Sequence, residues 1–194
     1  GGGLDLLVGA EEASGIRWPD LAEAAGRLSA TTLDYALPHP GGVALLSHGR
    51  AGAMTVPVDA FDSVLAAGVR GYEQVFIDVP RSTWAVAPEM LDRADRVILL
   101  VPGRVRGIAA AAAALPWLRS VTKELTVVVR ATSRGVAARE VERVLGLAAL
   151  RVVPEQLQLA TREDRGEPLL SNDAYTRAVR SVLADAVREK VPAA

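Results

Sequence analysis

The sequence predicts an α/β protein built on a mostly parallel, doubly wound sheet. Three observations carry that expectation. Short runs of Val, Ile and Leu alternate with stretches of helical periodicity. Those runs are continuously apolar, as strands covered on both faces are. Half of the 194 residues are hydrophobic but only 4% are aromatic, so one core packed from aliphatic side chains is expected. Strand–helix alternation then favours right-handed crossovers and a parallel sheet, in one domain spanning residues 1–194.

The elements follow in order. Residues 4–8, 21–28 and 32–37 read as short helices joined by Gly and Pro. Val43-Ala44-Leu45-Leu46 follows Gly41-Gly42 and reads as a first buried strand. Residues 59–69 place Phe61, Val64, Leu65 and Val69 at helical spacing. Gln74-Val75-Phe76-Ile77 is a second strand, ending at Asp78-Val79-Pro80. A short helix over 88–94 leads to a third strand, 96–101, closed by Pro102-Gly103. The Ala-rich stretch 105–121 is a helix that Pro116 should kink or end early, because proline removes a backbone donor and crowds the preceding turn. A fourth strand spans 125–129, a helix with Gly146 as its stop spans 137–145, and a fifth strand spans 150–153. The last helix runs over about 171–189, with Ser171 or Asn172 as N-cap and a stripe of Tyr175, Val179, Val182, Leu183 and Val187.

Composition removes several classes of chemistry. The absence of Cys excludes disulfides, Cys-ligated zinc, iron–sulfur clusters and thiol catalysis within this chain. Only His39 and His48 supply imidazoles, and both read as loop residues rather than a metal pair. A net charge of −1 argues against a dedicated nucleic-acid binder. The longest apolar tract, 108–118, is too short for a membrane span of about 20 residues. No targeting segment is visible, so a cytoplasmic protein is expected. The absence of an initial Met suggests a fragment or trimmed product.

Ligands of open α/β sheets sit at the carboxyl ends of the strands. Val75-Phe76-Ile77-Asp78 has the form of a Walker B strand, whose carboxylate would hold magnesium through water. The competing reading makes Asp78 a cap of the turn into Val79-Pro80. A wider pattern surrounds it: Tyr72-Glu73 leads in, Asp78-Val79-Pro80 follows, and Ala94-Asp95-Arg96 opens the next strand. Val153-Pro154-Glu155 is followed by Gly166-Glu167-Pro168, and the chain opens with Gly2-Gly3-Leu4-Asp5-Leu6-Leu7-Val8-Gly9.

In this order and spacing the segments resemble the MinD/ParA superfamily of P-loop ATPases. Gly15-Ile16-Arg17-Trp18-Pro19-Asp20-Leu21 looks like the CpaE/TadZ branch, including its actinobacterial septum-site-determining members. The resemblance implies ATP and Mg2+ as cofactors and a homodimer. It implies protein partners in division or in pilus and secretion machinery, with no specific nucleic acid. It assigns cofactor contacts to Asp78, Pro80, Arg130, Pro154 and Glu155. Asp78 would hold the metal, and Pro154 and Glu155 would border the adenine. Arg130 departs from the pattern, since many members place a base-reading Asn there. The family's glycine-rich loop with its lysine is not recognisable: Lys123 and Lys190 follow no such loop, and Gly49-Arg50-Ala51-Gly52 lacks the lysine. The family's Walker A strand would lie upstream of Gly1, which implies weak ATPase activity in an intact parent and none in this chain alone. A second reading is a degenerate, non-hydrolysing interaction module on the same fold.

Other constellations are weaker. Ser47-His48 with Asp59 lacks the G-x-S-x-G elbow of a hydrolase. Trp18, Trp84 and Trp117 read as packing residues, and Arg81 as a surface residue rather than a phosphate sensor. The final helix looks at first like a membrane-targeting helix. Its stripe lacks Phe and Trp and its polar face mixes acids with bases, so packing on the sheet is expected and membrane association is not indicated.

Overall fold

The computed structural model describes residues 3–49, 55–80, 88–148, 150–165 and 173–188. Arg81, Trp84, the Gly166-Glu167-Pro168 segment, Ser171 and Asn172 lie outside the described residues. The chain divides into two units, one of residues 1–78 with 158–169, the other of residues 79–157 with 170–194.

The first unit is helical among its described residues. It contains α1 (Leu4–Leu7), a 3-10 turn at Trp18–Leu21, α2 (Ala30–Ala36), a second 3-10 turn at Pro40–Gly42, α3 (Val58–Gly71) and α7 (Leu159–Asp164). Ser29 starts α2 by accepting the Thr32 N–H at 3.3 Å, which satisfies a donor left free at the helix start. α2 packs on α3, and Leu21, Leu33, Leu37 and Ala67 form the buried centre. Trp18 stacks on Phe61 with ring centroids 6.4 Å apart, the packing role expected of it.

Several expected elements take other forms in this unit. No helix spans 21–28: the chain leaves the Trp18–Leu21 turn irregularly, and Arg70 of α3 donates to the Leu28 carbonyl at 2.7 Å. The buried face of α3 is Ala60, Phe61, Ser63, Ala67 and Gly68. Val69, expected on that stripe, is exposed, because a helix of 3.6 residues per turn that buries position 61 returns to that face at 68. Residues 43–46 are not a strand. The Leu45 N–H goes to the Pro38 carbonyl at 2.9 Å, and only Ala44 and Leu46 reach the core. Residues 74–77 also join no ladder among the described residues, and Val75, Phe76 and Ile77 are 41%, 64% and 36% exposed. An apolar run is necessary for a buried strand, but without a neighbouring strand it cannot complete its hydrogen bonds.

The second unit carries the sheet. It holds α4 (Pro88–Asp92), β1 (Val97–Pro102), α5 (Val105–Val121), β2 (Leu125–Arg130), α6 (Ala138–Leu145), β3 (Arg151–Val153) and α8 (Ala174–Arg188). The strands are parallel in the order β1-β2-β3, with Val97 opposite Leu125, Pro102 opposite Arg130, and Arg130 opposite Val153. β2 buries Val127, Val128 and Val129 in succession, the pattern of a strand covered on both faces. β1 alternates instead: Leu99 and Val101 are buried and Leu100 is 69% exposed. α5 stays helical through Pro116, anchored by the buried Leu115 and Leu118 on either side of it. Local propensity loses there to packing against Leu99, Val101, Val127, Val129 and Val141. Trp117 packs at the margin of that core. Gly146 ends α6 at φ 62°, a left-handed conformation that costs glycine nothing. Asp173 caps α8 by accepting the Thr176 N–H at 2.8 Å, so the side chain bonded at this helix start is one residue beyond the expected pair. α8 lies beside β3, and its Asp185 pairs with Arg151. Among the described residues no helix is long and apolar enough to cross a membrane.

Candidate functional site

The three strands of the second unit end together, and their following loops are tied to one another. Gly103 N–H bonds the Arg130 carbonyl at 2.8 Å, Val136 N–H bonds the Gly103 carbonyl at 2.9 Å, and Ala131 N–H bonds the Val153 carbonyl at 2.8 Å. A parallel sheet brings this about, because each crossover returns the chain in the same direction and stacks successive loops at one end.

Three expected site residues meet here. Arg130 ends β2 and is exposed. Pro154 and Glu155 follow β3 and are half-buried. The Glu155 carboxylate accepts the Ser133 N–H at 2.6 Å, which joins the loop after β3 to the loop after β2. Gln156 donates to Asp173, the cap of α8. The Pro154-Glu155 loop is therefore fixed on two sides, which suits a wall against a planar ligand. In the loop after β2, Thr132 Oγ1 is shielded from solvent with no hydrogen-bond partner among the described residues.

Pro80 is in this unit and exposed, just after Val79, which packs against the sheet core. Asp78 belongs to the first unit. It is exposed at the end of the 74–78 run, and no hydrogen-bond or ion-pair partner engages it among the described residues. A carboxylate of this kind fits a solvated divalent cation, which needs oxygen ligands and keeps its own waters. No group of three or more metal-ligating side chains occurs among the described residues. The phosphates fit less well: this sequence has no glycine-rich loop with a lysine to hold them.

Two polar clusters in the first unit were not expected, although Asp5, Arg17 and Tyr72 stand in the segments quoted from the sequence. Asp5, buried in α1, accepts the Ser47 hydroxyl at 2.8 Å, and Arg17 approaches the other carboxylate oxygen at 3.6 Å. Burial pushes the Asp5 carboxyl up, but the Ser47 hydroxyl and nearby backbone N–H groups, with help from Arg17, hold it below the usual carboxylate range. Arg17 also donates to the carbonyls of Ala10, Ala13, Gly15 and Ile16, so it closes the irregular segment around itself. A Cβ on Gly3 would lie 2.3 Å from Asp5 Oδ1 and 2.4 Å from Ser47 Oγ, so only glycine fits there. Ser47 is thus bonded to Asp5 and belongs to no hydrolase set. In the second cluster Asp34 accepts both Tyr72 Oη at 2.6 Å and His39 Nε2 at 2.9 Å. The bond from Tyr72, then that from His39, lowers the Asp34 pKa, while burial and the Asp34 carboxylate push the Tyr72 phenol up. Tyr72, the aromatic that leads toward Asp78, is held in place by these bonds.

The fold is that of the MinD/ParA group of P-loop ATPases. The MinD cell division protein of Aquifex aeolicus superimposes with a TM-score of 0.71, covering 98% of this chain and 82% of that one at 18% identity. A ParA family ATPase from Chlorobium tepidum gives a TM-score of 0.72, covering 92% of this chain and 78% of that one at 16% identity. At these identities the likeness is one of fold. In sequence, uncharacterized proteins from two strains of Mycobacterium tuberculosis are 41% identical over 188 residues, or 96% of this chain. This chain spans about half the length of those relatives, 51%. No protein-family model matches the chain.

Proposed function

We propose that the chain is part of an ATP-dependent MinD/ParA-type protein of the CpaE/TadZ branch, one that positions septum or pilus and secretion machinery as a cytoplasmic homodimer. In this reading Asp78 holds the water shell of magnesium and Pro80 shapes the turn behind it. Pro154 and Glu155 border the base, and Arg130 occupies the position from which the base is read. The observation that carries the reading is Asp78 itself: an exposed carboxylate following an apolar run, with no partner among the described residues, in a chain whose fold neighbours include a ParA family ATPase. The phosphate loop would come from a longer protein of the kind the mycobacterial relatives represent.

The test is a thermal-shift titration on a longer protein that joins this chain to a glycine-rich, lysine-bearing loop. ATP with Mg2+ should raise its melting temperature, because a ligand that binds only the folded state adds stability by mass action. No shift at millimolar nucleotide would contradict the proposal.

A second reading, a non-hydrolysing interaction module, is favoured by two observations. Arg130 stands in place of a base-reading Asn, and the Glu155 carboxylate is already engaged by Ser133. Nucleotide binding without measurable phosphate release, or no binding with partner association intact, would select it.

A further inference from the structure

The carboxyl end of the β1-β2-β3 sheet is strongly cationic. From Val97 to Arg139 the sequence holds seven basic residues and a single acid, Glu124, which is paired with Arg96. Five of the seven cluster after the strands. Arg104 and Arg106 follow β1, Arg130 ends β2, and Arg134 and Arg139 lie in the loop and first turn that follow. All five are exposed, and none has an ion-pair partner among the described residues. Of the nearby acids, Glu140 is paired with Arg143, and neither Glu142 nor Glu155 makes an ion pair with any of the five among the described residues. The bonds from Gly103 to Arg130 and from Val136 to Gly103 keep the two arginine-bearing loops side by side. The first turn of α5 contains no acidic residue that would offset its positive end.

We propose that this surface docks a short acidic segment of a partner protein, with Arg104, Arg106, Arg130 and Arg134 as its carboxylate-binding groups. Guanidinium groups suit the purpose because their planar donors take carboxylates in pairs. Val105, 72% exposed between Arg104 and Arg106, offers an apolar contact that a peptide mixing acids with aliphatic residues would use. An extended polyanion fits less well. The chain as a whole has a net charge of −1, which gives no long-range attraction for a duplex or an anionic membrane. A segment a few residues long meets only the local patch. This inference does not rest on nucleotide binding.

The experiment is fluorescence anisotropy of the full chain with a labelled peptide of alternating Glu and Leu, run beside a labelled duplex DNA and phosphatidylglycerol vesicles. Saturable peptide binding is expected. It should weaken about tenfold or more when Arg104→Glu is combined with Arg106→Glu, or Arg130→Glu with Arg134→Glu. The milder Arg104→Gln with Arg106→Gln should show a smaller loss in the same direction. Arg119→Glu with Lys123→Glu, at the opposite end of α5, should leave binding unchanged with the same melting temperature. No peptide binding, equal losses in the α5-end control, or a preference for DNA or vesicles that the loop variants abolish would each overturn the proposal.

Discussion

The Ser47 hydroxyl donates to the Asp5 carboxylate at 2.8 Å, joining two buried side chains 42 residues apart in sequence. Asp5 N–H points back to the Ser47 oxygen at 3.4 Å, so the pair closes a small ring between α1 and the segment after the second 3-10 turn. Ser47→Ala leaves a buried carboxylate without its side-chain donor. We expect a loss of about 1–3 kcal/mol in urea unfolding, the usual cost of an unsatisfied buried polar group. The double variant with Asp5→Asn should lose less than the sum of the two single losses, since both remove one interaction.

The same pair makes stability depend on pH. The folded-state pKa of Asp5 is depressed, so its contribution is present above the unfolded value and is lost as pH falls through the folded one. Acid unfolding monitored by circular dichroism should therefore be less steep below about pH 4 in Asp5→Asn than in the parent chain. Identical acid limbs would show that Asp5 contributes nothing there.

Leu118 is fully buried on the face of α5 that meets the sheet. Leu118→Ala should cost about 2–5 kcal/mol through lost burial and the cavity it leaves. Chemical denaturation measures this directly. A loss below about 1 kcal/mol would mean that the α5–sheet core is loosely packed.

Phe76 is 64% exposed in a run that joins no ladder. Exposed apolar segments with unpaired backbone favour self-association. Phe76→Lys should raise the monomer fraction by light scattering while leaving the melting temperature nearly unchanged. Persistent aggregation in the variant would place the association surface elsewhere.

The second unit was more legible in the sequence than the first. Runs such as Val127-Val128-Val129, with a Gly146 stop behind the following helix, announce a parallel strand and its crossover through local pattern alone. The 74–77 run has the same local pattern. Strand formation there depends on a partner that lies outside the run, and pattern does not report partners. Pro116 does not end α5 early, since buried Leu115 and Leu118 hold the helix on either side of it. At the candidate site, Arg130, Pro154 and Glu155 were expected from motif order, and their convergence follows from parallel topology. The Glu155–Ser133 bond and the Asp5–Ser47–Arg17 cluster depend on tertiary contacts between distant segments, which no spacing rule records.

The most direct measurement concerns Asp78. The substitution Asp78→Asn keeps the side chain's shape and removes its charge. It should be made in a longer protein that joins this chain to a phosphate-binding loop, and melting should be followed with and without ATP and Mg2+. The account predicts a normal melting temperature without ligand and loss of the stabilisation that nucleotide and magnesium give the unsubstituted protein, because that stabilisation exists only where binding survives. A variant that melts early without ligand yet keeps its full response to ATP would contradict the account and make Asp78 a structural cap.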